Sequence, residues 1–165
     1  MNSIPQFDYL KAPLNRYTFS IKPIRDWVEY VAENRTLNLF AGQTHLAIDE
    51  TRNDLDKDAD ADYHQDALQF VQEWVGHKFD TIILDPPYSY RKSMEMYGGR
   101  ISSPFRQLKD AIVGILNPGG MVITFGYHSC VMGTARGFVI ERILLISHGG
   151  AIHDTIATVE RYREY

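Results

Sequence analysis

The sequence predicts an α/β fold built on a mostly parallel open sheet that ends in an antiparallel hairpin. Helical patterns alternate with short apolar segments, which is typical of such sheets. Residues 79–84 form a nearly continuous apolar run, as expected for a strand buried on both faces. Two further strand patterns flank His148-Gly149-Gly150 near the C-terminus. We divide the 165 residues into an irregular N-terminal segment, 1–20, and a single domain, 21–165.

The first half of the domain contains a helix and up to three short strands. Pro23 suits a first helical turn, and apolar residues at helical spacing extend the helix over 23–34. A short strand at 36–40 runs into Ala41-Gly42. The acidic segment that follows has room for a strand at 50–55, and residues 61–64 fit another.

The second half alternates in the same way. Asp66 opens a helix that Gly76 ends, and the buried strand 79–84 follows. Residues 89–103 are polar and predict a loop, 104–116 predict a helix, and 117–120 form a stop and turn. A buried strand at 121–125 then precedes the hairpin strands 138–147 and 152–161.

Composition and sequence pattern exclude several kinds of site and binding mode. A single cysteine, Cys130, excludes an intrachain disulfide framework and a cysteine-cluster zinc site. The net charge of −4 excludes binding of nucleic acid by overall charge alone, so such binding needs a local basic patch or a partner. We see neither a membrane span nor a secretory signal, so we expect a cytoplasmic protein.

His148 and His153-Asp154 are more simply turn residues than metal ligands, so we expect no metal.

The strongest chemical signal is Asp85-Pro86-Pro87-Tyr88, directly after the strand 79–84. Two prolines fix two φ angles and remove two backbone donors, and Pro86 favours an extended Asp85. The result is a stiff corner that presents a carboxylate and carbonyl oxygens beside a flat ring. This combination suits a planar amino group, which donates to the oxygens while its heterocycle stacks on the ring.

This motif resembles that of the S-adenosylmethionine (SAM) dependent amino-methyltransferases of the Asp-Pro-Pro-Tyr type, which include N6-adenine DNA and RNA methylases. The similarity covers about residues 20–126. It includes Ser20-Ile21-Lys22-Pro23, the segment Leu39-Phe40-Ala41-Gly42-Gln43-Thr44, which looks like the cofactor loop, and the acidic motifs Asn53-Asp54-Leu55-Asp56 and His64-Gln65-Asp66-Ala67. The resemblance implies a class I, Rossmann-like methyltransferase domain with SAM as cofactor.

The resemblance also implies residue roles. Asp54 would accept from the cofactor's ribose hydroxyls, with Asp56 as the weaker choice, and Asp66 from its adenine amino group. Lys22 would pair with its carboxylate, although a surface lysine is an equal alternative. The catalytic residues would be Asp85, Pro86, Pro87 and Tyr88, and the remaining cofactor contacts would come from Phe40, Ala41, Gly42 and Asp85.

Two departures from the family pattern concern the cofactor loop. Thr44 stands where the family has its second glycine. The interval from Gly42 to Asp54 is also too short for the family's first helix plus a strand, so either the helix is lost or the loop makes a tight hairpin.

The implied partner is a nucleic acid, with DNA favoured and RNA as the alternative. The residues expected to contact it are Tyr88, Arg91, Lys92, Arg100 and Tyr127. Sequence selectivity must come from residues 1–20, the loop 89–103 or another subunit, such as a second copy or a separate specificity partner. Two alternatives stay open: methylation of cytosine N4, guanine N2 or a protein glutamine, and a degenerate domain that binds SAM or a partner without catalysis.

Overall fold

The computed structural model describes residues 3–87, 104–150 and 152–164. In this part of the chain one sheet has seven strands in the order β1-β6-β7-β5-β4-β2-β3. The strands are β1 Gln6–Lys11, β2 Thr36–Asn38, β3 Glu50–Arg52, β4 Phe79–Leu84, β5 Leu116–Gly126, β6 Phe138–Ser147 and β7 Thr155–Tyr162. The α-helices are α1 Lys22–Val31, α2 Ala67–Glu73 and α3 Pro104–Ile112, and the 3-10 turns are Thr18–Ser20, Val113–Ile115 and Thr134–Arg136.

Six strands run in one direction, and β7 alone opposes them in the described sheet. The strands β1 to β6 therefore end at one edge, which we call the carboxyl edge, and β7 begins there. In open α/β sheets ligands bind outside this edge. The antiparallel pair β6 and β7 forms the predicted hairpin.

The sheet is buried between two apolar layers. On one face Ile24 and Val28 of α1 pack on Ile83 and Ile123. On the other face α2 and α3 contribute residues such as Phe70 and Leu108 to a second cluster. The apolar run of β4 is explained by this burial, because its side chains alternate between the two layers.

Most predicted elements are confirmed, and many of the differences lie at their ends. The β4 strand has the predicted bounds, while α2 ends at Glu73, before the predicted stop at Gly76. Only an isolated bridge, Asn53 with Tyr63, forms in the second acidic strand. The α-helix predicted over 104–116 ends at Ile112 and continues as a 3-10 turn. The predicted stop at 117–120 lies within β5, where its pairing with β4 shifts register.

The expectation of an irregular N-terminal segment is wrong for Gln6–Lys11. These residues form β1, which pairs in parallel with β6 over six residues. Asp8 and Leu10 face the α1 layer, where the Trp27 indole N–H donates to Asp8 (3.0 Å) and Leu10 packs on the core. The two prolines, Pro5 and Pro13, flank this strand instead of marking continuous irregular structure.

Candidate functional site at the carboxyl edge

The loop after β2 passes directly to β3 without the family's first helix. Residues 39–49 are all described, and they form turns and bends. Gly42 has φ +59°, in the left-handed region that favours glycine. Its N–H donates to Asp54 Oδ2 at 2.8 Å. The short interval therefore makes a compact loop that the end of β3 holds in place.

Arg52, at the end of β3, also binds this loop through its side chain. Its side chain is 3% exposed, and its guanidinium pairs with the equally buried Glu50 carboxylate at 2.7 Å. The remaining guanidinium hydrogens donate to the carbonyl oxygens of Ala41, Gly42 and Thr44, and Nε donates to the Asp60 carbonyl. A charged group with all five donors engaged thus supports the loop.

Sequence reasoning missed Arg52 and Glu50, although a signal was present. Residues two apart on a strand point to one face, so Glu50 and Arg52 were placed to form an ion pair. In this acidic segment, the family resemblance assigned roles only to Asp54 and Asp56.

The three predicted acidic residues have different surroundings. Asp54 is half-buried, and besides Gly42 it accepts from the Asp56 N–H at 2.9 Å. Asp56 is exposed, and its side chain accepts from the Asp58 N–H. Asp66 caps α2 by accepting from the N–H groups of Leu68 and Gln69. Each carboxylate oxygen has two lone pairs, so Asp54 and Asp66 can accept further bonds from a ligand.

The remaining predicted cofactor residues flank the loop. Ala41 is buried, and its N–H donates to the Asn53 carbonyl. Phe40 is partly buried against the α2 and α3 layer. Lys22 begins α1, and its 72% exposed side chain pairs with Asp26 one helical turn later. That pair favours the surface-lysine alternative for Lys22.

The Asp85-Pro86-Pro87 segment leaves the sheet beside this loop. The Leu39 N–H donates to the Ile83 carbonyl at 3.2 Å, so β2 and β4 stay paired up to the point where both chains turn away. Asp85 is half-buried, Pro86 is buried and Pro87 is exposed. The buried proline anchors the corner, and Asp85 itself is only partly buried there. The predicted Tyr88, Arg91, Lys92 and Arg100 lie outside the described residues.

Tyr127 follows β5 at the same edge. Its ring is 40% exposed and meets the His153 ring edge-on, with 6.4 Å between centroids. The sequence predicted that an aromatic residue could line a target pocket here. The ring stands two strands from β2, on the side of β4 away from the cofactor loop.

A buried carboxylate fixes the segment that follows Tyr127. Glu160 of β7 is fully buried and accepts from the N–H groups of Val131 and Met132 at 3.1 and 2.9 Å, and of Gly133 at 3.1 Å. Lys109 of α3 donates to the Val131 carbonyl, and burial lowers the pKa of its ammonium group below the ordinary value, with nearby Arg136 acting in the same direction. The segment after Tyr127 is thus tied to both β7 and α3.

The described residues also lack two further kinds of feature. Within 3–87, 104–150 and 152–164, no group of three or more His, Cys, Asp or Glu side chains is arranged to hold a metal ion. None of the helices in the same ranges has the length and apolar character needed to cross a bilayer.

Curated relatives of the chain are RNA methyltransferases by name. No protein-family model matches it. The ribosomal RNA large subunit methyltransferase I of Salmonella arizonae is 26% identical over 162 residues, covering 82% of this chain and 38% of that protein. The protein of the same name from Klebsiella pneumoniae is 25% identical, covering 58% and 30%. The chain spans about a third of the length of these relatives.

Solved structures with the same fold are also methyltransferases or carry related names. TrmN from Thermus thermophilus superposes with a TM-score of 0.63 at 14% identity, covering 86% of this chain and 49% of that one. The 1,6-didemethyltoxoflavin-N1-methyltransferase of Burkholderia thailandensis, solved with S-adenosylhomocysteine, gives 0.60 at 11% identity, covering 87% and 78%. The chain therefore has the Rossmann-like methyltransferase fold that the sequence predicted.

Proposed function

We propose that this chain transfers a methyl group from SAM to the N6 amino group of adenine in a nucleic acid. One observation carries the proposal. The half-buried Asp85 leaves the central strand β4 on a proline corner, next to the loop that Gly42 and Asp54 close. The acceptor for a planar amine follows β4 and the acceptor for a cofactor follows β3, two strand spacings or about 10 Å away, with the Gly42 loop after β2 between them.

The residues around the loop suit the chemistry of SAM. Its ribose hydroxyls, adenine amino group, ammonium and sulfonium are donors or cations, which carboxylates accept. Asp54 would take the ribose hydroxyls and Asp66 the adenine amino group. Phe40, Ala41 and Gly42 would form the wall of the site, because Arg52 holds the Ala41 and Gly42 carbonyl oxygens in place. When bound, SAM supplies a methyl group activated by its sulfonium.

The acidic corner would activate the acceptor. An exocyclic amine conjugated to its ring is a weak nucleophile. Hydrogen bonds from the amine to Asp85 and to the Pro86 carbonyl localise its lone pair and aim it at the methyl carbon. Holding both reactants in this way can lower the barrier by up to about 7–11 kcal/mol. Tyr88 would stack on the base, and the cationic residues Arg91, Lys92 and Arg100 would bind its phosphates.

The polymer is the next part of the proposal. The sequence motif favoured DNA, whereas the curated relatives are named for ribosomal RNA. Both present the same adenine amino group. Because the chain has a net charge of −4, attraction to either polymer must come from a local surface.

The test is methyl transfer from labelled SAM, followed by mass spectrometry of the digested nucleosides. Acceptors are DNA and ribosomal RNA from cells that lack adenine methylation, with total protein as a third acceptor. We expect N6-methyladenine in one nucleic acid. N4-methylcytosine, N2-methylguanine or methylglutamine as the product would replace adenine as the acceptor.

Calorimetric titration with SAM separates catalysis from mere binding. SAM binding without transfer to any acceptor would favour the degenerate domain, for which Thr44 in place of the second glycine is the supporting feature. Absence of both binding and transfer would overturn the whole proposal.

A further inference from the structure

A groove lies at the far end of the carboxyl edge, between the ends of β1 and β6. Its volume is about 480 Å³, and its lining includes Tyr9, Lys11, Pro13, His148 and Gly149-Gly150. Tyr9 is 55% exposed, and Lys11 is also exposed. We call this feature the β1–β6 groove. It presents an aromatic face and a cation beside two residues that have no side chain.

His148 makes the groove a built feature of the fold. Its Nδ1 lies 2.9 Å from the Ala12 carbonyl oxygen, which can only accept, so Nδ1 carries a proton. Its Nε2 lies 2.7 Å from the Thr155 hydroxyl. The Ala12 N–H in turn donates to the Ser147 carbonyl at 3.0 Å. One imidazole therefore ties the ends of β1 and β6 to the start of β7.

The groove continues the edge that carries the candidate catalytic site. Going outward from β4, the edge presents Tyr127 after β5, His153 before β7, His148 after β6, and then Lys11 and Tyr9 at the end of β1. We call these five residues the edge track. With strands about 4.8 Å apart, the track ends about 19 Å from β4. That distance corresponds to a few nucleotides of one strand.

The nearest acid on β1 does not oppose an anion in the groove. Asp8 lies between Phe7 and Tyr9 in sequence, and its side chain therefore points to the opposite face. There it accepts from Trp27 and pairs with Arg142 at 3.2 Å. Tyr9 and Lys11, two residues apart, share the face that borders the groove.

We propose that the edge track binds the unpaired nucleic-acid strand that flanks the target base. The exposed rings of Tyr9, Tyr127 and His153 suit stacking with successive bases, the half-buried His148 holds the strand ends in place, and Lys11 suits a phosphate. Gly149-Gly150 leaves room for a backbone to approach. The proposal rests on the proposed function, because it assigns a role to the surface next to the same site. Lys11 gives this acidic chain one local cation for a polyanion.

The test measures binding without SAM, by fluorescence anisotropy of labelled oligonucleotides of about 12 nucleotides. Single-stranded RNA, single-stranded DNA and a fully paired duplex are compared, and a single strand is expected to bind most tightly. Tyr9→Ala should weaken binding at least about fivefold through lost stacking, whereas Tyr9→Phe should keep it. Lys11→Ala should lower the slope of log affinity against log salt by about 0.7.

Matched controls come from the opposite edge of the sheet. Tyr30, near the end of α1, is 76% exposed, and Lys78, just before β4, is exposed. Tyr30→Ala and Lys78→Ala should bind like the unsubstituted chain. Equal losses in these controls, or no change in Tyr9→Ala and Lys11→Ala, would overturn the edge track. If Tyr9→Ala fails to fold by circular dichroism, the salt slope of Lys11→Ala decides.

The result also separates this proposal from the proposed function. Track-dependent binding without methyl transfer to any nucleic acid would leave the edge track standing and overturn the proposed activity. Methyl transfer together with binding that does not change in Tyr9→Ala and Lys11→Ala would support the proposed activity and overturn the edge track. An unsubstituted chain that binds no oligonucleotide at low salt would overturn the edge track.

Discussion

The Gly42 amide donates a hydrogen bond to the Asp54 carboxylate over 2.8 Å, which joins the loop after β2 to the end of β3. The same carboxylate is the candidate acceptor for the ribose of SAM. On the proposed function, loop geometry and cofactor recognition would therefore depend on one side chain. Changes at Asp54 can separate these two roles.

Asp54→Ala is expected to weaken SAM binding by about 10- to 100-fold, since hydrogen bonds to a charged group contribute about 1.5–3 kcal/mol each. Asp54→Asn keeps an oxygen that can accept from Gly42, so it should hold the loop and lose less affinity. Calorimetric titration with SAM measures both. Asp58→Ala changes an exposed acid in the same segment and should bind like the unsubstituted chain. Equal affinity in Asp54→Ala and Asp58→Ala would remove the assigned role.

Arg52→Met is expected to destabilise the fold by about 3–5 kcal/mol, because it leaves the buried Glu50 carboxylate without its partner. Urea unfolding followed by tryptophan fluorescence gives this free energy. Adding Glu50→Gln removes the unpaired charge, so the double variant should recover part of the loss. If the double variant is less stable than Arg52→Met, burial of an unpaired charge is not the cause.

The sequence predicted those parts of the fold whose signals are local. The β4 strand was predicted to the residue because burial on both faces requires an uninterrupted apolar run. The cap at Asp66 was predicted because an acid ahead of a helical pattern satisfies its first N–H groups. In contrast, β1 was missed, since Phe7 and Tyr9 are exposed on an edge strand whose partner lies more than a hundred residues later.

The residues of the candidate site also differ in how far the sequence could predict them. The Gly42 and Asp54 positions follow strands that the pattern locates, so their neighbourhood could be predicted. The spacing of Glu50 and Arg52 indicated an ion pair but not its burial under the loop, and the buried role of Glu160 could not be predicted because it depends on a segment that the fold brings to it. Glu160 looks like an ordinary strand residue in sequence, yet it binds three backbone N–H groups of residues 131–133.

Acid should weaken the fold partly through Asp8. Burial raises the pKa of its carboxyl, but hydrogen bonds from Trp27 and Gln6 and the Arg142 charge outweigh burial and hold it below the ordinary 3.8. A lowered folded-state pKa gives stability that is present above about pH 4 and is lost as the pH falls through the folded-state value. The free energy of unfolding is compared for the unsubstituted chain and Asp8→Asn.

The two proteins should differ in stability near neutral pH and converge as the pH falls through the lowered pKa of the Asp8 carboxyl. Glu33, whose pKa is lowered by the hydrogen bond from Arg161, changes equally in both and cancels from the comparison. A constant difference across this range would mean that the Asp8 charge does not contribute.

Asp85→Ala is expected to abolish methyl transfer while leaving most of the SAM affinity intact. The substitution removes the acceptor for the target amine, whereas the loop closed by Gly42 and Asp54 is unchanged. Asp85→Asn is the sharper comparison, because it has nearly the same shape but its amide nitrogen donates and its oxygen carries no charge. We expect its rate to fall by at least about 100-fold, in line with the loss of a positioned acid or base group. Single-turnover transfer at saturating SAM measures the step directly, and a normal rate in either variant would exclude Asp85 as the residue that activates the amine.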